Sequence, residues 1–154
     1  MTAYNSSLYT SRTPAGVHGL GQISNHSHAL AAVPASFGAA DVCNMAFLPA
    51  GAVVLGLTLK AQGQLDANAA PTLALNVGLA GAPQLFLAAS SLVGRAPGAS
   101  ADSGLTANGR LYKNVSGARQ AIIVTAQAPA ASPVAGLLEL ELSYFIEDAV
   151  GSPA

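Results

Sequence analysis

Strict alternation of apolar and polar residues in several short segments is the feature that most constrains the fold of this chain. The clearest segment runs from Leu138 to Ile146, where large apolar residues alternate with residues that include Glu139 and Glu141. Successive side chains of a β-strand point to opposite faces, so a period of two is typical of a strand with one buried face. Residues 52–61 and 72–80 alternate in the same way. The three segments therefore predict three half-buried strands. Their predicted buried residues are Leu55, Leu57, Leu75, Val77, Leu140 and Leu142.

Turn-forming residues recur about every ten positions and divide the chain into six to eight predicted strands. Pro49-Ala50-Gly51, Gly81-Ala82-Pro83 and Asn108-Gly109 are examples. Short strands at this spacing are typical of antiparallel sandwiches and barrels, whereas a parallel sheet needs helices between its strands. No alternation of strands and helices is present. The sequence therefore predicts an all-β fold, an antiparallel β-sandwich or jelly roll.

The chain changes composition near residue 40, which predicts two parts. Residues 1–40 are rich in Ser, Thr, Asn, Gly and His, and they show no lasting period of 2 or 3.6. Gly and Pro punctuate this part throughout. We therefore predict an extended N-terminal arm over residues 1–40 and a sandwich domain over residues 41–150.

The predicted arm carries apolar and cationic side chains at wide intervals. Such anchors on an extended chain suit docking into the grooves of a neighbouring protein, where each side chain fills a pocket. The predicted partner-binding residues are Tyr4, Tyr9, Arg12, Leu20, Ile23 and Phe37.

Charge is scarce, and this scarcity excludes several classes of protein. Only 8% of the 154 residues are charged, and the six Lys and Arg residues are spread along the chain. Proteins that bind nucleic acids need clustered cations to neutralise phosphates, so no direct nucleic-acid partner is expected. No apolar run reaches the roughly 18 residues of a membrane-spanning helix, and Met1–Thr10 lacks the order of a signal peptide. We therefore expect no membrane partner.

Residues that could take part in catalysis or bind a metal do not form a recognisable active site in the sequence. His26 and His28 flank Ser27, a spacing that can bind a metal, but the nearest further ligands, Asp41 and Cys43, lie more than ten residues away. Glu139 and Glu141 have the spacing of a solvated strand face, and no G-x-S-x-G motif occurs. We therefore predict no catalytic, cofactor-binding or metal-binding residues, no cofactor and no enzymatic activity.

Residues 47–59, FLPAGAVVLGLTL, resemble the opening of capsid decoration proteins of tailed bacteriophages, which are also called cement or head-stabilising proteins. The order of the following segments is also similar to that family and covers residues 41 to about 148. These segments include the strand around Thr72–Gly78, Tyr112 after a glycine-rich loop, and the acidic strand Leu138–Leu142.

The resemblance implies a structural virion protein. Proteins of this family are jelly-roll or sandwich modules that bind the outer surface of an icosahedral head and bridge neighbouring major capsid proteins. The expected partners are thus the major capsid protein and further copies of this chain, as a trimer or otherwise as a dimer. The expected location is the outer surface of the virion after synthesis in the host cytoplasm. Two alternatives stay open: a tail or head-fibre component, and a non-catalytic carbohydrate-binding or adhesin sandwich.

Overall fold

A computed structural model describes residues 1–5, 25–39 and 41–147 of the chain. These residues form nine β-strands and no α-helix, and accordingly no described helix is long and apolar enough to cross a membrane. The strands are β1 (Ala3–Asn5), β2 (Asn25–Val33), β3 (Val42–Leu48), β4 (Ala52–Ala61), β5 (Ala74–Leu79), β6 (Ala82–Ser90), β7 (Ser100–Ser103), β8 (Gln120–Ala128) and β9 (Gly136–Ile146).

The strands form two sheets with the connectivity of a jelly roll. One sheet has the order β1-β3-β8-β5-β6 and the other has the order β2-β9-β4-β7. Antiparallel pairing joins β4 with β9 and β5 with β8. Four further antiparallel pairs are nested along the chain: β2 with β9, β3 with β8, β4 with β7, and β5 with β6. Nested pairs of this kind arise when a long antiparallel ribbon folds over into two layers, as it does in a jelly roll. The predicted all-β antiparallel sandwich is confirmed, and β1, which pairs in parallel with β3, is an addition to it.

The core lies between the two sheets and is built from the alternating faces that the sequence predicts. Along β9, Leu138, Leu140, Leu142 and Tyr144 are buried, while Glu141 between them is exposed. The predicted core residues that the structure confirms are Leu57, Leu75, Val77, Leu140 and Leu142. Cys43 is also buried, and burial raises the pKa of its thiol to about 12.

Leu55 departs from this pattern, and the prediction that it is buried is wrong. It is 44% exposed because β4 contains a bulge between Val54 and Gly56 in its pairing with β9. A bulge inserts one unpaired residue, so the inward face changes from even to odd positions along the strand. Val54 faces the core before the bulge and Leu57 faces it afterwards, while Leu55 turns outward.

The predicted boundary at residue 40 falls after β2, which pairs with a strand of the sandwich. Asn25–Val33 pairs with β9 along nine residues, and its odd-numbered residues are buried. Those inward residues are mostly small, as Ser27, Ala29 and Ala31 illustrate. Because small side chains give little hydrophobic contrast, the alternation of β2 is hard to detect in the sequence. Residues 6–24 of the predicted arm lie outside the described residues.

Asp66 organises the loops at one end of the sandwich. Its buried carboxylate accepts hydrogen bonds from the backbone N–H groups of Thr72, Leu73, Ala131 and Ser132, at 2.8–3.1 Å. The loop before β5 and the loop before β9 are thereby tied to one side chain. Two loops with few large side chains gain a defined conformation in this way.

Candidate functional site

The predicted partner-binding residues fall into two groups in the structure. Tyr4 in β1 and Phe37 after β2 contact each other edge to face, with ring centroids 6.0 Å apart. Phe37 is only 8% exposed and belongs to the core, and Tyr4 packs against it. Both side chains thus pack within this chain's own sandwich, and their role as anchors for a neighbour stays a prediction. The other predicted anchors lie outside the described residues; they are Tyr9, Arg12, Leu20 and Ile23.

A network of charged side chains covers the solvent-facing side of the sheet β2-β9-β4-β7. The register places His28 of β2 opposite Glu141 of β9, and Lys60 of β4 opposite Glu139. His28 Nε2 lies 2.7 Å from a carboxylate oxygen of Glu139, and Lys60 Nζ lies 2.5 Å from Glu141 and 3.6 Å from Glu139. Gln62 donates a further hydrogen bond to Glu139.

The contacts in this network shift the pKa values of two of its members. Hydrogen bonds from His28 and Gln62 lower the pKa of Glu139. The hydrogen bond to Glu141 raises the pKa of Lys60. The network therefore favours the charged forms of both side chains. A carboxylate held in its ionised form is poorly suited to act as a general acid near neutral pH.

Three members of the network could by distance hold one metal ion. The ligand atoms of His28, Glu139 and Glu141 lie within 4.8 Å of one another. The fold therefore places two possible metal ligands, Glu139 and Glu141, beside His28, although they are distant from it in the sequence. However, Lys60 already pairs with both carboxylates, so a metal would have to displace its ammonium group. The donor set as it stands fits a network of ion pairs across three strands.

A groove of about 860 Å³ lies on the same sheet face, beside the charged network. Its floor includes Gly56, which has no side chain, and Ser143, whose side chain is short, so a depression is left between β4 and β9. The residues that line it are His26, Ser27, His28, Leu55, Gly56, Leu57, Thr58, Ser103, Gly104, Leu105, Arg110, Leu111, Glu141, Leu142 and Ser143. The groove is thus polar near β2 and has leucine side chains near the loop that follows β7.

The loop 104–112 forms the wall at the leucine end and is firmly attached to both sheets. Thr106 Oγ1 donates a hydrogen bond to the carbonyl oxygen of Leu85, and the Leu111 N–H donates to the carbonyl oxygen of Val54 at 3.1 Å. Gly109 approaches the chain so closely that an added Cβ would lie 2.5 Å from the oxygen of Leu85. These contacts give the wall a fixed position relative to the groove floor.

Leu111 is the most unusual residue of the groove. Its side chain is 67% exposed, and its φ of 53° lies in the left-handed region that side chains other than glycine and asparagine rarely adopt. Sequence reasoning did not select Leu111, Leu105 or Arg110. The Asn108-Gly109 turn marked the loop as a tight connection, but nothing in the sequence indicated which of its side chains would face outward.

Arg110 differs from the other described Lys and Arg residues because its side chain has no hydrogen bond or ion pair within the described part of the chain. Lys60 and Lys113 pair with carboxylates, and Arg95 donates to backbone carbonyl oxygens. Arg119 lies over the ring of Phe47, 4.4 Å from its centre. The groove therefore combines outward leucine side chains with a guanidinium group that has no partner among the described residues.

Comparison with known proteins places the chain among phage proteins. No protein-family model matches it, and no curated protein matches it. Solved structures of phage capsids are similar to it. A chain of the "Capsid of Ralstonia phage GP4" is 20% identical over 96% of this chain and 99% of its own length, with a TM-score of 0.80, and supports the fold.

The second structure carries the family assignment. It is a chain of the "Cyanophage Pam1 capsid asymmetric unit", with a TM-score of 0.74. The alignment covers 88% of this chain and 94% of the cyanophage chain. At 32% identity over most of both chains, this protein belongs to the same family of phage capsid proteins as that chain of cyanophage Pam1.

Proposed function

We propose that this chain is a capsid decoration protein that binds the outer surface of an icosahedral phage head and bridges neighbouring major capsid proteins. The observation that carries the proposal is the 32% identity, over most of both chains, to a chain of a phage capsid. The resemblance of residues 47–59 to decoration proteins supports the more specific role. In this proposal the chain is made in the host cytoplasm and has no catalytic step.

The described surface also supports a role in protein contacts. Large apolar side chains are exposed at several separate positions although the whole chain has few charges. These residues are Met1, Leu30, Leu55, Leu92, Leu111, Val115, Val134 and Leu137. Apolar surface of this kind is typical of proteins that bury part of their surface against partners. A decoration protein has such partners in the capsid lattice.

An adhesin or carbohydrate-binding module fits the surface less well. Sugar-binding sandwiches stack aromatic rings on their ligand, and the chain contains no Trp. All seven Tyr and Phe residues within the described ranges are buried or half-buried. A tail or head-fibre component would have the same sandwich fold. Only the position of the chain in the particle distinguishes that function from decoration of the head.

Binding to isolated heads tests the proposal. Heads from a phage that lacks this gene are mixed with the purified chain and sedimented, and bound protein is quantified against the major capsid protein. We expect saturable binding with a fixed ratio, together with a higher temperature of head disruption. Absence of binding to intact heads, or binding without saturation, would contradict a decoration role.

We propose that the residues Tyr9, Arg12, Leu20 and Ile23 add contacts to the capsid protein or to an adjacent copy. Apolar anchors spaced along a polar segment bind a neighbour by filling separate pockets. Replacing Tyr9, Leu20 and Ile23 together by Ser is expected to weaken head binding while circular dichroism and thermal unfolding stay unchanged. Full binding by the triple variant would assign attachment to the sandwich alone.

We also propose that the chain forms a closed oligomer, most favourably a trimer and otherwise a dimer. Closed symmetric assemblies are the usual form of homo-oligomers. Because the surface has few charges, electrostatic repulsion between copies of the chain is small. Sedimentation equilibrium at micromolar concentration measures the mass directly. A strictly monomeric species, both free and after release from heads, would contradict this expectation.

A further inference from the structure

We propose that the groove on the outer face of the sheet β2-β9-β4-β7 receives a segment of the major capsid protein in which a carboxylate lies next to a large apolar side chain. The inference rests on the proposed function and identifies the surface through which the sandwich attaches. Three observations carry it: the outward leucine side chains, the guanidinium of Arg110, which has no partner among the described residues, and the pairing of every described carboxylate within the chain.

The leucine end of the groove is formed by residues that the fold turns outward. The bulge in β4 directs Leu55 away from the core, and the left-handed backbone at Leu111 presents a second exposed leucine. Leu105 completes this end and packs against the core. A left-handed leucine is a costly way to expose an apolar side chain, and such strain occurs preferentially at binding sites. A partner that covers these leucines would remove apolar surface from water.

The unpaired cation indicates the charge of the partner. Arg110 lines the same end of the groove as Leu111, and its guanidinium has no partner among the described residues. Arginine is enriched at the centres of protein interfaces because its planar group binds a carboxylate with two parallel hydrogen bonds. The complementary segment therefore presents Asp or Glu next to the side chain that contacts the leucines.

The carboxylates of this chain argue for a different protein as the partner. Each described Asp and Glu side chain already has a hydrogen-bond or ion-pair partner within the chain. The partnered carboxylates are Asp41, Asp66, Asp102, Glu139, Glu141 and Glu147. A second copy of the described sandwich thus offers Arg110 no described carboxylate that lacks a partner of its own. In the proposed function, the abundant neighbour with further carboxylates is the major capsid protein.

Four single variants test the groove in the head-binding assay described above. Arg110→Glu reverses the proposed charge, whereas Arg110→Lys keeps it. Leu111→Asn removes the apolar side chain at a backbone conformation that Asn tolerates well, so it leaves the fold intact. Leu92→Asn is the matched control, because Leu92 is 59% exposed and does not line the groove.

We expect Arg110→Glu and Leu111→Asn to weaken binding by at least about tenfold, as truncation of central interface residues does. Arg110→Lys keeps the charge but loses the two parallel hydrogen bonds, so it should bind more weakly than the original chain and more tightly than Arg110→Glu. Leu92→Asn should stay within about threefold of the original chain. Thermal unfolding of all four variants is measured alongside. Equal binding by all four variants, while the original chain binds heads, would overturn the groove and leave the decoration role intact. Failure of the original chain to bind would overturn both.

Photo-crosslinking identifies the occupant of the groove independently of affinity. A benzophenone amino acid is placed at Leu111, the labelled chain is bound to heads and irradiated, and cross-linked peptides are sequenced by mass spectrometry. The proposal expects a peptide of the major capsid protein with Asp or Glu next to the cross-linked residue. A cross-link to a second copy of this chain, or no cross-link from head-bound protein, would overturn the proposed occupant.

Discussion

At the residue scale, the fold depends on a few polar side chains that are buried and fully bonded. Asn114 is an example, since its amide donates to the carbonyl oxygens of Leu48, Pro49 and Ala118 while its oxygen accepts from Ser116. Buried polar groups are costly unless they are bonded in this way. Both Asn114 and Asp66 occupy loops, where no regular ladder satisfies the backbone. Such residues fix loops whose own side chains are too small to form a core.

Asp66→Asn is expected to destabilise the chain by about 3 kcal/mol, because hydrogen bonds to a charged group contribute about 1.5–3 kcal/mol and the new amide would face backbone donors. Chemical denaturation measures the change. Asp102→Asn is the control, since Asp102 accepts one hydrogen bond, from Ser90, and is half-buried. A loss below about 0.5 kcal/mol for Asp66→Asn would contradict the role assigned to this carboxylate.

Stability should fall in acid because of the same residue. Burial alone would raise the pKa of Asp66, but the backbone N–H groups of residues 72, 73, 131 and 132 outweigh it and hold this pKa well below its usual value of 3.8. A lowered pKa in the folded state stabilises the protein above the unfolded pKa and loses this effect as the pH falls through the folded one. Between pH 6 and pH 2, thermal unfolding of the original chain should therefore decline below about pH 4. The Asp66→Asn variant should decline less steeply, and parallel curves would contradict this cause.

Two leucines of neighbouring strands should differ sharply when they are truncated. Leu140→Ala is expected to cost about 2–5 kcal/mol, because it leaves a cavity in the core. Leu55→Ala should cost less than about 1 kcal/mol, because Leu55 faces outward after the bulge. Urea denaturation of both variants compares the two positions directly. Similar losses at both sites would show that the bulge is misplaced.

At the scale of elements, β2 shows why the sequence predicted some strands and missed others. β9 alternates leucines with glutamates, so its buried face is visible in the sequence, and the structure confirms it. The small inward residues of β2 lie opposite large ones of β9, as Ala29 lies opposite Leu140 and Ala31 opposite Leu138. This match of small with large side chains exists only after the strands pair. The bulge at Leu55 escaped prediction for the same reason, because register is a property of two strands.

Truncation separates β2 from the residues that precede it. Removing residues 1–24 eliminates β1 but keeps the eight strands of the jelly roll, so the product should retain a β-sheet circular dichroism spectrum and unfold cooperatively. Removing residues 1–36 also eliminates β2 and exposes one edge of β9 together with the core beneath it. The longer truncation should lose cooperative unfolding. A stable, cooperative product without residues 1–36 would place the domain boundary at residue 40 after all.

At the scale of the whole molecule, a jelly roll with few charges has one sheet face that carries both an ion-pair network and a groove. The fold class follows from the strand pattern, and the capsid family from identity to a capsid chain. The groove could not be predicted, because its residues come from four strands and a loop that only the jelly-roll pairing brings together. Leu111 and Arg110 are ordinary surface residues in the sequence. Their positions become informative only beside Leu55.

The location of the chain in the particle distinguishes a decoration protein from a tail component. Phage particles are separated into heads and tails, each fraction is analysed by quantitative mass spectrometry, and intact heads are labelled with antibodies against the sandwich. A decoration protein should be present in heads, absent from tails, and labelled on unopened heads. Recovery of the chain in the tail fraction, or labelling only after the heads are broken, would contradict a decoration protein on the outer capsid surface.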